Sequence, residues 1–290
     1  MLKGSFTALI TPFKDGKIDE DSFRSFIDFQ IDGGIHGVVP VGTTGESPTL
    51  SHEEHKKAIE ICIDQTKKKV PVIAGTGSNN TEEAIDLTRH AEKVGADAAL
   101  IVTPYYNKPT QRGMYEHFES ISKNSSIPII IYNIPGRSVI NMTNETMKKL
   151  FKLKNIVGVK DATADIPRVY SSRIEIGKDF NLLTGDDATC FAFMLYGGHG
   201  AISVTANIAP KLCSDFMNFC LDGNFLEAAK INDLLMPLHI ALFVESSPGP
   251  IKYAASKLGL CSSEIRLPLT ETSDETKIIV DQALKHASLI

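Results

Sequence analysis

The sequence predicts a (β/α)8 barrel. Three observations carry this: short β-branched runs recur eight times, amphipathic stretches separate them, and each repeat opens with its strand. Strand–helix alternation of this kind means parallel strands joined by helical crossovers. Eight such units in roughly 200 residues suit a closed barrel better than an open sheet. An open Rossmann-like sheet is the alternative, but no G-x-G-x-x-G and no Walker A sequence follows any strand.

In chain order, strands read at "FTALIT" (6–11), "GVVPVG" (37–42), "VPVIAG" (70–75), "AALIVT" (98–103), "IPIIIY" (127–132), "IVGVK" (156–160), "NLLTG" (181–185) and "GAISV" (200–204). Near-continuous apolar runs are the composition of strands buried on both faces. Helices fit 19–32, 80–95, 111–123, 144–152, 165–177 and 187–196. "SHEE" (51–54) is a capping box, with Ser51 at the N-cap and Glu54 three residues on. "NTEEAIDLTRHAEKVG" (80–95) places acids in its first turn and Ala84, Leu87, Thr88 and Ala91 along one face; Gly95 ends it. Residues 1–205 are thus assigned to the barrel. Residues 206–290 carry only helical periodicity, giving the last barrel helix and a helical C-terminal region.

Composition narrows the functional classes. The net charge of -5 is mild and both signs are interspersed, with no basic stripe for nucleic acid. No apolar run approaches the ~20 residues of a membrane-spanning helix. The start, "MLKGSFTALITPF", lacks a signal-peptide core and cleavage site, so a cytoplasmic protein is expected. The five cysteines form no C-x-x-C pair, which suggests neither a zinc site nor a disulfide framework. Cys213 and Cys220, in an apolar-periodic segment, read as buried inert thiols.

In a barrel of this kind the chemistry sits at the carboxyl ends of the strands. Those ends read "GTTGES" (42–47), "TPYYNKP" (103–109), "YNIPGRS" (132–138), "KDAT" (160–163) and "TGDD" (184–187). Lys160 is the oddity, a strongly hydrated side chain closing a dry strand. It is either a lysine that snorkels to solvent or a nucleophile. In strict alternation Gly158 shares its face and leaves room beside it. A roomy, poorly hydrated site favours a neutral amine, and a neutral amine attacks ketones to give a Schiff base. The residues alone leave both readings open. Tyr132 ends the preceding strand and stands on the same rim, as a proton shuttle or as a core tyrosine with a satisfied hydroxyl. "GTTGE" offers two hydroxyls and glycine-flanked backbone N–H groups that suit a small carboxylate, although glycine punctuates many ordinary turns. Arg137, after a Pro-Gly turn, can clamp a second carboxylate in bidentate fashion or simply face solvent.

Together, "GVVPVGTTGES…E" (37–54), "TPYYNKP", "YNIPGRS" and "GVKDAT" (158–163) resemble the dihydrodipicolinate synthases. That family belongs to the pyruvate-dependent class I aldolase superfamily, which also contains N-acetylneuraminate lyase. The resemblance runs from residue 1 to 290 and includes "ESSPGPIKYAASKLG" (245–259). It implies a homotetrameric (β/α)8 enzyme that condenses pyruvate with L-aspartate 4-semialdehyde on the route to diaminopimelate and lysine. By motif position, Lys160 would form the Schiff base, and Tyr132, Thr43 and Tyr106 the proton relay, Tyr106 being lent across a dimer interface. Thr44, the backbone at Ile202 and Gly185 would hold pyruvate, and Arg137 the semialdehyde carboxylate. No cofactor is implied, because the imine itself is the electron sink. Arg137 and the doubled Tyr105-Tyr106 favour the synthase over the lyase. The resemblance also implies feedback inhibition by lysine at Ser47, His52, His55, Asn79, Glu83 and Tyr105. Pro48 and Asn80 stand where it implies alanine.

Overall fold

The computed structural model describes all 290 residues, Met1–Ile290. The chain divides into two compact units, Met1–Lys3 with Ile73–Ile202, and Gly4–Val72 with Ser203–Ile290. Eight parallel strands, alternating with helices, give the (β/α)8 class. They are β1 (Gly4–Ala8), β2 (Gly37–Val39), β3 (Ile73–Gly75), β4 (Ala98–Val102), β5 (Ile129–Asn133), β6 (Ile156–Asp161), β7 (Asn181–Thr184) and β8 (Gly200–Ser203).

In the unit built around residues 73–202, β3 to β8 pair in chain order, each parallel to the next. Three of their helices begin on side-chain caps that satisfy otherwise orphaned N–H groups. Asn80 accepts from Glu82 at the start of α3 (Thr81–Val94), and Thr110 accepts from Gly113 at the start of α4 (Gln111–Lys123). Thr143 does the same for Thr146 in α5 (Asn144–Leu150). Ala99, Ile101, Phe118, Ile129, Ile131, Met147, Val159 and Phe180 pack into a continuous core. Between β5 and β6 the register slips from Ile129↔Ile156 to Ile130↔Gly158, a bulge that leaves Val157 unpaired and sets Tyr132 opposite Lys160. Helices α6 (Ile166–Glu175) and α7 (Cys190–Leu195) follow β6 and β7, slightly shorter than their sequence periods.

In the other unit, β1 and β2 pair from Phe6↔Gly37 to Ala8↔Val39, and Val38 bridges Val72. The second strand ends at Val39, not residue 42, because Val41 turns to φ 50°. A small hairpin, Phe13–Lys14 with Lys17–Ile18, turns on Asp15 (φ 53°) and Gly16 (φ 76°), as a two-residue hairpin turn requires. The fully buried Gln30 on α1 (Glu20–Asp32) accepts from Thr7 Oγ1 at 2.7 Å and donates to Asn207 O at 3.0 Å. Asn207 in turn donates to Ala8 O at 2.8 Å. Such a network is rigid only because every member is satisfied. Helix α2 (His52–Thr66) carries the expected reciprocal capping box.

The C-terminal helices are α8 (Pro210–Leu221), α9 (Phe225–Ala241), α10 (Gly249–Lys257) and α11 (Asp274–His286); α9 packs on α8 and α11, and α10 on α11. Cys213 and Cys220 are buried on α8, as expected, and burial pushes the Cys220 thiol up to about 12, which makes it inert. No helix is long and apolar enough to cross a membrane.

Candidate active site

Strand β6 delivers Lys160 at its carboxyl end, where the side chain is only 6 % exposed. It does not snorkel. Its Nζ lies 4.1 Å from the centroid of the Tyr132 ring. The neighbouring acid is engaged elsewhere: Asp161 Oδ2 accepts from Arg168 Nε at 2.7 Å, and Oδ1 from Thr163 N at 2.9 Å and Thr163 Oγ1 at 2.5 Å. Arg168 also donates to Met142 O. No carboxylate therefore forms an ion pair with Lys160.

Tyr132 is buried and in register with Lys160, which brings the two side chains to one face. Its hydroxyl makes no hydrogen bond within the chain, so it is not a satisfied core tyrosine. The glycine that makes room for the lysine is not Gly158. A Cβ there would lie 2.3 Å from Asn181 O, so Gly158 serves the close approach of β6 to β7. Room comes from Gly185, whose Cβ would meet Lys160 Cε at 2.7 Å and Ala162 Cβ at 2.9 Å. Strict alternation pointed to the wrong glycine because it reads one strand and not its neighbour. Ile202 is buried in β8, one residue past the Ala201↔Thr184 pair.

Arg137 is exposed on a short helix, Pro135–Ser138, directly after β5. Ser138 Oγ pins that helix by donating to Ile134 O at 2.9 Å and accepting from Thr103 Oγ1 at 3.2 Å. Tyr106 sits at φ 66° with 91 % of its surface in solvent. Its neighbour Tyr105 is half-buried. Asn79 Nδ2 donates to Tyr105 O at 3.2 Å, and Ser78 Oγ donates to Glu83 at 2.7 Å. Burial, then the Glu83 carboxylate, raises the Tyr105 phenol above its ordinary range. Asn79, Glu83 and Tyr105 are thus brought together. Asn80 is held by its role as the α3 cap.

Thr43 and Thr44 lie in the turn after β2, Thr43 half-buried and Thr44 buried. Gly45 N and Ser47 N donate to Gly42 O at 3.1 and 3.4 Å, and Glu46 N donates to Thr43 O at 3.1 Å. Two residues outside the usual backbone regions flank the threonines, Val41 at φ 50° and Glu46 at φ 57°. Ser47 opens a short 3-10 turn, Ser47–Thr49, with Pro48 in its first positions. His52, the first residue of α2, is exposed, whereas His55 is buried.

One set of residues near this turn escaped the sequence reading. Glu46 is buried, and its Oε1 accepts from Lys252 Nζ at 2.5 Å while its Oε2 accepts from Arg266 N at 3.0 Å. Lys252 is fully buried, donates also to Glu264 O at 2.5 Å, and rests 4.1 Å from the Phe13 ring centroid. Arg266 makes a bidentate contact with Glu54 at 2.6 and 2.7 Å and donates to Thr49 O and Gly16 O. The available signal was a lone lysine within the apolar stretch "GPIKYAA". No cluster of three or more His, Cys, Asp or Glu side chains has the arrangement of a metal site.

A (β/α)8 barrel that presents a buried lysine at a strand's carboxyl end has the arrangement of a Schiff-base barrel enzyme. The comparisons make this particular. Residues 1–287 match the Dihydrodipicolinate synthetase family. The 4-hydroxy-tetrahydrodipicolinate synthase of Bartonella henselae is 60 % identical over 292 residues, covering 100 % of this chain and 99 % of that one. That of Afipia carboxidovorans is 58 % identical over 288 residues, covering 99 % and 97 %. The solved dihydrodipicolinate synthase of Acinetobacter baumannii, complexed with pyruvate, superposes with a TM-score of 0.98 at 44 % identity, covering 100 % of both chains. That of Cyanidioschyzon merolae, with lysine bound, gives 0.96 at 37 % identity over 100 % of this chain and 99 % of that one. The chain belongs to the dihydrodipicolinate synthetase family.

Proposed function

We propose that this chain condenses pyruvate with L-aspartate 4-semialdehyde through a Schiff base on Lys160, giving 4-hydroxy-tetrahydrodipicolinate for lysine and diaminopimelate synthesis. The observation that carries this is the buried Lys160, unpaired with any acid, against the Tyr132 ring and beneath Gly185. The amine adds to C2 of pyruvate, and water leaves to give an iminium. Loss of a C3 proton gives an enamine, whose C3 attacks the aldehyde carbon. The semialdehyde's own amine then displaces Lys160 from C2 and closes the ring. The carbinolamine and enamine steps each move protons, the work assigned to Tyr132, Thr43 and Tyr106. Thr44, the Ile202 backbone and Gly185 hold pyruvate, and Arg137 the semialdehyde carboxylate. The pyruvate complex of the Acinetobacter baumannii relative supports the first substrate.

Tyr106 has this role only if a second copy of the chain receives it, and its exposure supports that. A homotetramer is the assembly we assign, and the exposed Tyr106, Val139, Tyr170, Ile174, Leu195 and Tyr196 are apolar side chains it could cover. The proposed division is a barrel over 1–205 and a last barrel helix with helical region over 206–290, in a cytoplasmic protein. L-Lysine inhibits by binding at Ser47, His52, His55, Asn79, Glu83 and Tyr105; Glu83 supplies a carboxylate for its ammonium groups, and the lysine-bound Cyanidioschyzon merolae structure supports the reading. Activity unchanged by lysine on the order of millimolar, well above ordinary ligand affinities, would remove it.

The test of the main reading is borohydride reduction with pyruvate, followed by peptide mapping. A reduced pyruvate adduct on Lys160 is expected, and trapping on any other lysine overturns the mechanism. Formation of the cyclised product on adding the semialdehyde separates the synthase from an N-acetylneuraminate lyase, which leaves the semialdehyde unconsumed.

A further inference from the structure

The turn that carries Thr43 and Thr44 is strained at both ends and anchored from far along the chain. A β-branched residue at positive φ, as at Val41, is a backbone outlier that persists only when its surroundings over-determine it. The surroundings here are specific. Thr11 Oγ1 donates to Gly45 O at 2.7 Å, and a Cβ on Gly45 would come within 3.0 Å of Val41 N and Cα, so the turn closes tightly on itself. Glu46, at the other strained position, buries a carboxylate clamped by Lys252 Nζ and Arg266 N. Because Glu46 N also donates to Thr43 O, its placement fixes the peptide of Thr43 directly. Lys252 and Arg266 lie more than 200 positions from Glu46 in sequence, in the C-terminal helical region.

We propose that Lys252, acting through Glu46, is a positioning residue for the Thr43–Thr44 turn, so that the C-terminal region sets the geometry of the proton relay and the pyruvate site. The proposal rests on the roles assigned above to the two threonines. A surface ion pair does this poorly, since its long side chains remain mobile. The Lys252–Glu46 pair is different: both groups are fully desolvated, and both carry further hydrogen bonds that leave the carboxylate one orientation. Burial pushes the Lys252 ammonium below the ordinary lysine range, against the opposing pull of Glu46.

The experiment compares Lys252→Met with the double variant Lys252→Met/Glu46→Gln. The single variant leaves a buried carboxylate facing no cation and loses stability. Removing both charges relieves that penalty, as apolar or neutral replacement of a buried pair commonly does, but frees the turn. In the double variant, folded with near wild-type melting, kcat is expected to fall about 10- to 100-fold and KM for pyruvate to rise several-fold. Borohydride trapping on Lys160 persists at saturating pyruvate. A folded double variant with wild-type kcat and KM overturns the proposal. Amide exchange of the wild-type protein is a second measurement, independent of any variant's folding. Gly45, Glu46 and Ser47 are expected among the slowly exchanging amides, and fast exchange there overturns the proposal too. Failure of the underlying reading looks different: wild-type protein then traps no pyruvate on Lys160 at all.

Discussion

Gly185 stands where any side chain would displace Lys160: a Cβ at that position comes 2.7 Å from the lysine Cε. No left-handed backbone demands glycine here, so the constraint is space alone. Gly185→Ala is therefore expected to fold with a modestly lowered melting temperature, since the new methyl forces Ala162, whose Cβ it would meet at 2.9 Å, and the Lys160 side chain to move. That movement takes the amine off its position over Tyr132. We expect kcat/KM for pyruvate to fall by about 10²-fold, the scale on which a misplacement of about 1 Å acts. Steady-state kinetics and the rate of borohydride trapping both read this, and unchanged trapping would refute it.

Tyr132 sits in register with Lys160 and spends its hydroxyl on no partner in the chain. Tyr132→Phe keeps the ring and its contact with Lys160 Nζ but removes the proton carrier. A loss of about 10²- to 10⁴-fold in kcat is expected, the usual weight of a general acid–base group, with little change in thermal stability. A loss under threefold would assign Tyr132 to packing.

The alternation of strands and helices made the barrel legible from sequence, because buried parallel strands need β-branched runs and crossovers need amphipathic helices. The rim was legible for the same reason: Lys160 and Tyr132 fall at the ends of strands, and Gly185 and Arg137 in the segments directly after them. Contacts between distant segments were not. Gly158 was given the space that belongs to Gly185 because a bulge and a neighbouring strand decide which glycine faces the lysine. Lys252 and Arg266 were read only as parts of helical periodicity, since their partners Glu46 and Glu54 lie more than 200 residues away. The Asp15–Gly16 hairpin was readable, as Asp-Gly is the strongest two-residue hairpin signal, but its flanking strands are only two residues each.

Arg168 neutralises Asp161, the residue immediately after the proposed nucleophile. Both side chains are largely buried and joined at 2.7 Å. Arg168→Ala leaves a buried carboxylate facing only Thr163, and breaking one partner of such a pair costs about 3 kcal/mol. Urea unfolding should show this as a lower midpoint with unchanged slope. Asp161→Asn with Arg168 intact keeps one acceptor oxygen for Thr163 but turns its NH2 group toward the Arg168 donor, so it too is expected to lower the midpoint.

His117 predicts how stability depends on pH. It lies buried on α4, with Nδ1 bonded to Thr81 Oγ1 at 2.9 Å and Nε2 buried with no partner. Burial lowers its pKa from 6.5 to about 4, because a proton on Nε2 would carry charge into a site offering no acceptor. The unfolded chain takes up this proton near pH 6.5, whereas the folded chain does so only near 4. Between those values the unfolded state binds more protons, so stability falls as pH is lowered through the window. The full contribution, present above about pH 6.5, is about 3 kcal/mol for a shift of this size. His117→Gln, which keeps polar groups on the ring's footprint but does not titrate, should flatten the profile between pH 6.5 and 4 relative to wild type. Denaturant midpoints measured across that range decide it: parallel profiles for the two proteins would mean that His117 titrates alike in the folded and unfolded states.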